Sequence, residues 1–223
     1  MNTSSRKIFF ISGLGANELA FSKLGDIGIE KHFVKWLKNN GAESLESYAL
    51  RMIKENDITS RDIIAGLSFG GLLAQQISKI LGIKNIVLIS SFRDYRDLKM
   101  PFRMALQMKL NKILLPVKIK SLENIIARNI NGNSSVSKDI ITRMIRNLDY
   151  DLLLWSIDKI ANSQEIILEE PNVYNILGMN DRIISYWENN NTIKIKGGTH
   201  FMIYDQANEL TVILKTILSN TSE

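Results

Sequence analysis

With 223 residues, 45% of them hydrophobic, and no cysteine, the chain can bury one full core but can form neither disulfides nor thiolate metal sites. The segment Met1 to Lys7 lacks the shape of a signal peptide and no apolar run reaches membrane-spanning length, so no transmembrane segment and a cytoplasmic location are expected. The net charge of +5 is local, because residues 92–160 hold 13 Lys and Arg against 7 Asp and Glu while the remainder holds 15 against 16; with no nucleic-acid-binding motif beside it, this excess reads as a solvated helical face or as attraction for an acidic substrate or carrier.

The first predicted element is a buried strand, Ile8 to Ile11, running into a glycine loop, Ser12 to Asn17. A short helix follows at Glu18 to Leu24, then a candidate edge strand at His32 to Leu37. His32, beside a lysine at the start of that strand, reads as structural or exposed. Ser44 is placed to cap a helix from Leu45 to about Glu55, in which Leu45, Tyr48, Ala49, Met52 and Ile53 share one face.

Asp62 to Leu67 is the next strand, followed after Ser68 by a helix from Gly70 to Leu81 that Gly82 ends. Between them, Gly66-Leu67-Ser68-Phe69-Gly70 has the form of a nucleophile elbow, a serine on a tight strand-to-helix turn. Glycines on both sides suit a turn without room for Cβ atoms. The helix N-terminus offers free N–H groups and a positive dipole end to a developing oxyanion. Asp62 begins its strand, and ligand sites lie at the carboxyl ends of parallel strands, so Asp62 is expected to be remote from the chemistry.

Ile86 to Ile89 is a further strand, and the alternation of strand and helix implies parallel pairing with right-handed crossovers. Residues 92–160 break that rhythm with Pro101, Pro116, many Met and Leu, and no convincing strand, and read as a helical insertion. The strands resume at Val173 to Leu177 and Thr192 to Lys196, and a last helix is expected from about Asp205 to Leu218.

The ordered set Gly13-Leu14-Gly15, Gly66-Leu67-Ser68-Phe69-Gly70, Gly178-Met179-Asn180-Asp181 and Gly197-Gly198-Thr199-His200-Phe201 resembles the α/β-hydrolase fold from Ile8 to Leu218. The resemblance implies an α/β core at 1–91 and 161–223, with a mostly parallel sheet flanked by helices, and a helical cap or lid at 92–160. It implies Ser68 as nucleophile, His200 as general base and Asp181 as the acid that orients it, in the chain order Ser, Asp, His. The backbone N–H groups of Leu14 and Phe69 would form the oxyanion hole. Asp94 and Asp97 are rival acids, since some members of the family place the acid after the earlier strand. The sequence departs from the family pattern in having Leu177 rather than His before Gly178, and no Pro after Asp181.

The activity implied is that of a serine carboxylesterase or thioesterase on a small-molecule acyl ester or thioester, with no cofactor and no metal. Acyltransferase or lyase chemistry on the same triad, or a non-catalytic binding module, are the alternatives. In the insertion, Met104, Met108 and Leu115 are expected to contact an acyl chain, and Arg93, Arg96 and Arg103 an anionic part of the substrate.

Overall fold

In the computed structural model of the chain, residues 6–108, 128–130, 135–146, 149–169 and 171–221 are described. Among the described residues six strands form one sheet: β1 (Lys7–Ile11), β2 (Glu30–Val34), β3 (Ile63–Leu67), β4 (Asn85–Ile89), β5 (Asn172–Gly178) and β6 (Thr192–Ile195). Their spatial order is β2-β1-β3-β4-β5-β6, and every neighbouring pair is parallel. The helices are α1 (Leu45–Asn56), α2 (Phe69–Leu81), α3 (Met100–Gln107), α4 (Ser135–Arg146), α5 (Tyr150–Ala161), α6 (Met202–Asp205) and α7 (Ala207–Asn220).

Strands β1, β3 and β4 are apolar at successive positions because both faces of the sheet are covered there. Alternation then divides the side chains between two cores. Ile8, Phe10, Ile63, Ala65, Leu67, Val87, Ile89 and Ile176 face α7, which contributes Leu210, Leu214 and Ile217. Phe9, Ile11, Ile64, Ile86, Leu88 and Leu177 face the other way, toward Tyr48, Ala49 and Met52 of α1 and Leu72, Leu73 and Ile77 of α2. Ser44 caps α1 by accepting from Ser47 N at 3.0 Å.

Two expected boundaries shift. The edge strand starts earlier and stops at Val34, the last residue in register with β1. Beyond it the chain turns to cover the elbow. Trp36 Nε1 donates to Ser12 Oγ at 2.8 Å, and Leu37 exchanges backbone bonds with the Tyr48 hydroxyl. The final helix is split, with a short α6 before α7. Among the described residues no helix is long and apolar enough to cross a membrane.

Candidate active site

The elbow lies where β3 ends. Ser68 adopts φ 53°, a region sparsely populated by residues with a Cβ. Such strain persists only where the surroundings over-determine it, and here both main-chain groups of Ser68 are held. Its N–H donates to Ile89 O at 3.0 Å, and its carbonyl accepts from Gly71 N at 2.9 Å and from Ser91 Oγ at 2.7 Å. A serine at the start of a helix ordinarily caps it with its side chain. Ser68 makes no such bond to α2, which leaves its hydroxyl for another partner.

The glycines on either side are required by close approach. A Cβ on Gly66 would lie 2.4 Å from Gly71 Cα, and one on Gly70 would lie 2.3 Å from Ile11 O. Strand β1 and the start of α2 can therefore touch backbone to backbone, which carries the loop after β1 to the serine. A Cβ built on Gly13 would sit 3.1 Å from Ser68 Cβ, so the Gly13-Leu14 peptide borders the nucleophile. Phe69 is the first residue of α2, and its N–H is one of the four donors that a helix leaves without an intrahelical acceptor. Its buried ring stacks on Trp36 with centroids 5.6 Å apart and planes 6° apart.

Asp181 and His200 come from the loops after β5 and β6. These loops are tied together by Asn180 N donating to Gly198 O at 2.7 Å. His200 Nε2 lies 3.1 Å from Ser68 Oγ, and His200 Nδ1 lies 2.8 Å from Asp181 Oδ2. The other carboxylate oxygen of Asp181 accepts from Ile183 N at 2.7 Å and Ile184 N at 2.9 Å. The aspartate thus closes its own turn, in the absence of the family's usual proline. Burial by itself would push the Asp181 carboxyl up. The charge and hydrogen bond of His200 and the two main-chain donors outweigh it and hold the carboxyl below its ordinary value.

The structure brings Ser68, Asp181 and His200 into one hydrogen-bonded line, with Leu14 and Phe69 beside it. The rival acids are engaged elsewhere. Asp94 is paired with Arg96, and Asp97 accepts from Arg93 Nε and Nη2 at 2.9 and 2.8 Å. Arg93 also lies over the Trp187 ring, 4.8 Å from its centroid. Arg93 and Arg96 are thus each paired with an aspartate of their own loop. Asp62 sits at the opposite end of the sheet, where it accepts from Lys7 N and from Thr59. His32 is bonded to Glu30 on the edge strand.

The cavity at Ser68 and His200 is walled on its far side by Ile130, Ile141, Met144 and Ile145 of the insertion. The methionines expected there do not line it: Met104 of α3 and Met108, just after that helix, are 50% and 61% exposed. Leu115 lies outside the described residues. Sequence reasoning also missed a clasp between the start of the insertion and the acid loop. Leu98 bridges Ile184, Lys99 N donates to Ile183 O at 2.8 Å, Ser185 N donates to Asp97 O at 2.7 Å, and Lys99 Nζ donates to Asp181 O. The polar pair Ser90-Ser91 at the end of β4 was a readable signal for the serine that pins the elbow carbonyl. The Lys99 contact had no local signal.

No family model matches the sequence, and no curated protein matches it either. Solved structures do. A thermophilic esterase from Thermogutta terrifontis aligns with a TM-score of 0.75 at 10% identity, covering 97% of this chain and 90% of that one. An enol-lactonase from Burkholderia xenovorans aligns with a TM-score of 0.73 at 11% identity, covering 98% and 94%. A bromoperoxidase from Bacillus anthracis aligns with a TM-score of 0.74 at 12% identity, covering 97% and 92%. The three names differ in the activity they state and agree in architecture: the chain has the α/β-hydrolase fold.

Proposed function

We propose that the protein is a serine hydrolase that cleaves a carboxylic ester or thioester. The observation that carries this reading is the line of hydrogen bonds from Asp181 through His200 to Ser68, a residue of strained backbone whose hydroxyl does not cap α2. A serine hydroxyl is a weak nucleophile at neutral pH. Nδ1–H of His200 is directed to Asp181, which leaves Nε2 with a lone pair toward Ser68 Oγ. His200 takes the proton as Oγ attacks the acyl carbon, and Asp181 stabilises the imidazolium. The carbonyl oxygen becomes an oxyanion between the N–H groups of Leu14 and Phe69. His200 then returns the proton to the departing alcohol or thiol, and water repeats the sequence on the acyl-enzyme.

In this reading residues 92–160 form a lid. Its support is that Ile130, Ile141, Met144 and Ile145 line the cavity at Ser68. The esterase and enol-lactonase among the structural neighbours are in keeping with ester chemistry. The test is reaction of purified protein with a small fluorophosphonate, with the labelled peptide identified by mass spectrometry, and hydrolysis of p-nitrophenyl acetate. Labelling at Ser68 and loss of turnover in Ser68→Ala by about 10⁴-fold or more are expected. A folded protein that is neither labelled nor active would place it among non-catalytic binding modules.

A further inference from the structure

The cavity at Ser68 is small. Its volume is about 30 Å³. A larger cavity of about 230 Å³ adjoins it, walled by Trp36, Leu37, Leu152 and Leu153 together with residues of the glycine loop. The two cavities share Leu14, Gly15, Ala16 and Met144. Met144 is the shared residue that comes from the insertion, and it is buried on α4.

The chemistry gives the two cavities a direction. The leaving group must accept its proton from His200 Nε2, so it lies on the histidine's side of the carbonyl carbon. The acyl group extends the other way. His200 borders the small cavity and not the large one. Ser68 and His200 border the small cavity alone, whereas Met144 borders both, so its side chain lies at the boundary between the space at the serine and the larger one.

Resting on the serine-hydrolase reading above, we infer that Met144 is the end-stop of the acyl subsite and restricts the enzyme to short-chain acyl esters. The cavity behind it, whose walls mix Trp36, Leu152 and Leu153 with polar residues such as Lys35 and Asp149, is the space that a longer chain would fill if this side chain were shorter. An unbranched thioether has several rotatable bonds and fills an irregular gap between two cavities without a fixed shape requirement.

The experiment compares kcat/KM for p-nitrophenyl acetate, butyrate and octanoate in the wild type, Met144→Ala and Met144→Val, with folding of each checked by thermal melting. The wild type is expected to lose at least about tenfold between acetate and octanoate. Met144→Ala is expected to raise the octanoate-to-acetate ratio by about tenfold or more, the effect of bringing two further methylenes out of water, and Met144→Val by less. A wild type that takes octanoate as readily as acetate overturns the inference without any variant. A folded alanine or valine variant with the wild-type ratio overturns it as well. Absence of fluorophosphonate labelling at Ser68 in the wild type would take down the serine-hydrolase reading and this inference together. Labelling with a flat chain-length profile would take down this inference alone.

Discussion

Replacing Asp181 by asparagine tests the proton path at one atom. Oδ1 of Asp181 accepts from two main-chain donors, Ile183 N at 2.7 Å and Ile184 N at 2.9 Å. An asparagine must keep its carbonyl oxygen on those donors, because an amide nitrogen cannot accept from them. Its NH2 group is then forced to the position of Oδ2, 2.8 Å from His200 Nδ1. Two donors cannot share that contact, so the imidazole changes tautomer, with Nδ1 accepting and Nε2 carrying the hydrogen. Nε2–H then points at Ser68 Oγ and can no longer take its proton. The expected loss in kcat is about 10⁴-fold, or about 5.4 kcal/mol of barrier. Stability should change far less, by about 1.5–3 kcal/mol, because the turn keeps both main-chain bonds and loses only a charge-assisted one. Hydrolysis of p-nitrophenyl acetate and urea denaturation of the same samples measure the two effects. Asp94→Asn and Asp97→Asn should stay within about tenfold of wild type, since their carboxylates serve Arg96 and Arg93. A folded Asp181→Asn enzyme within tenfold of wild type would refute the argument.

Gly70→Ala would put a Cβ 2.3 Å from Ile11 O and 2.4 Å from Ser12 O, where a carbon–oxygen contact needs about 3.3 Å. Strand β1 and α2 must part by about 1 Å, which should cost about 1–3 kcal/mol in urea denaturation and, by moving the Leu14 loop, about 10²-fold in kcat/KM; wild-type values for both would show that the backbone approach is not needed. The Asp181 carboxyl, held low in the folded protein, stabilises the fold fully above its unfolded pKa of about 3.9 and progressively less as pH falls through its folded value. The stability gap between wild type and Asp181→Asn should therefore narrow as urea titrations are taken from about pH 5 to about pH 3, and a constant gap would mean that the pair does not depend on an ionised Asp181.

The sequence by itself determined what short-range chemistry dictates. The apolar runs of β1, β3 and β4 can only be strands covered on both faces, and the glycines about Ser68 can only serve a turn with no room for Cβ atoms. The loop segments that end in Asp181 and His200 were legible through their resemblance to the α/β-hydrolase pattern. What tertiary structure decided depends on partners far away in the chain. His200 meets Ser68 across 132 positions, and its other ring nitrogen reaches Asp181 while Asp94 and Asp97 pair with arginines. The walls of the site are a second such decision. Met100 and Met104 on α3 and Ile141, Met144 and Ile145 on α4 are alike as apolar residues at helical spacing, and a sequence carries no direction for a helix in a long insertion. The packing of α4 over the loops after β1 and β6 supplies that direction, which is why the isoleucines and Met144 line the cavity while the methionines of α3 face outward.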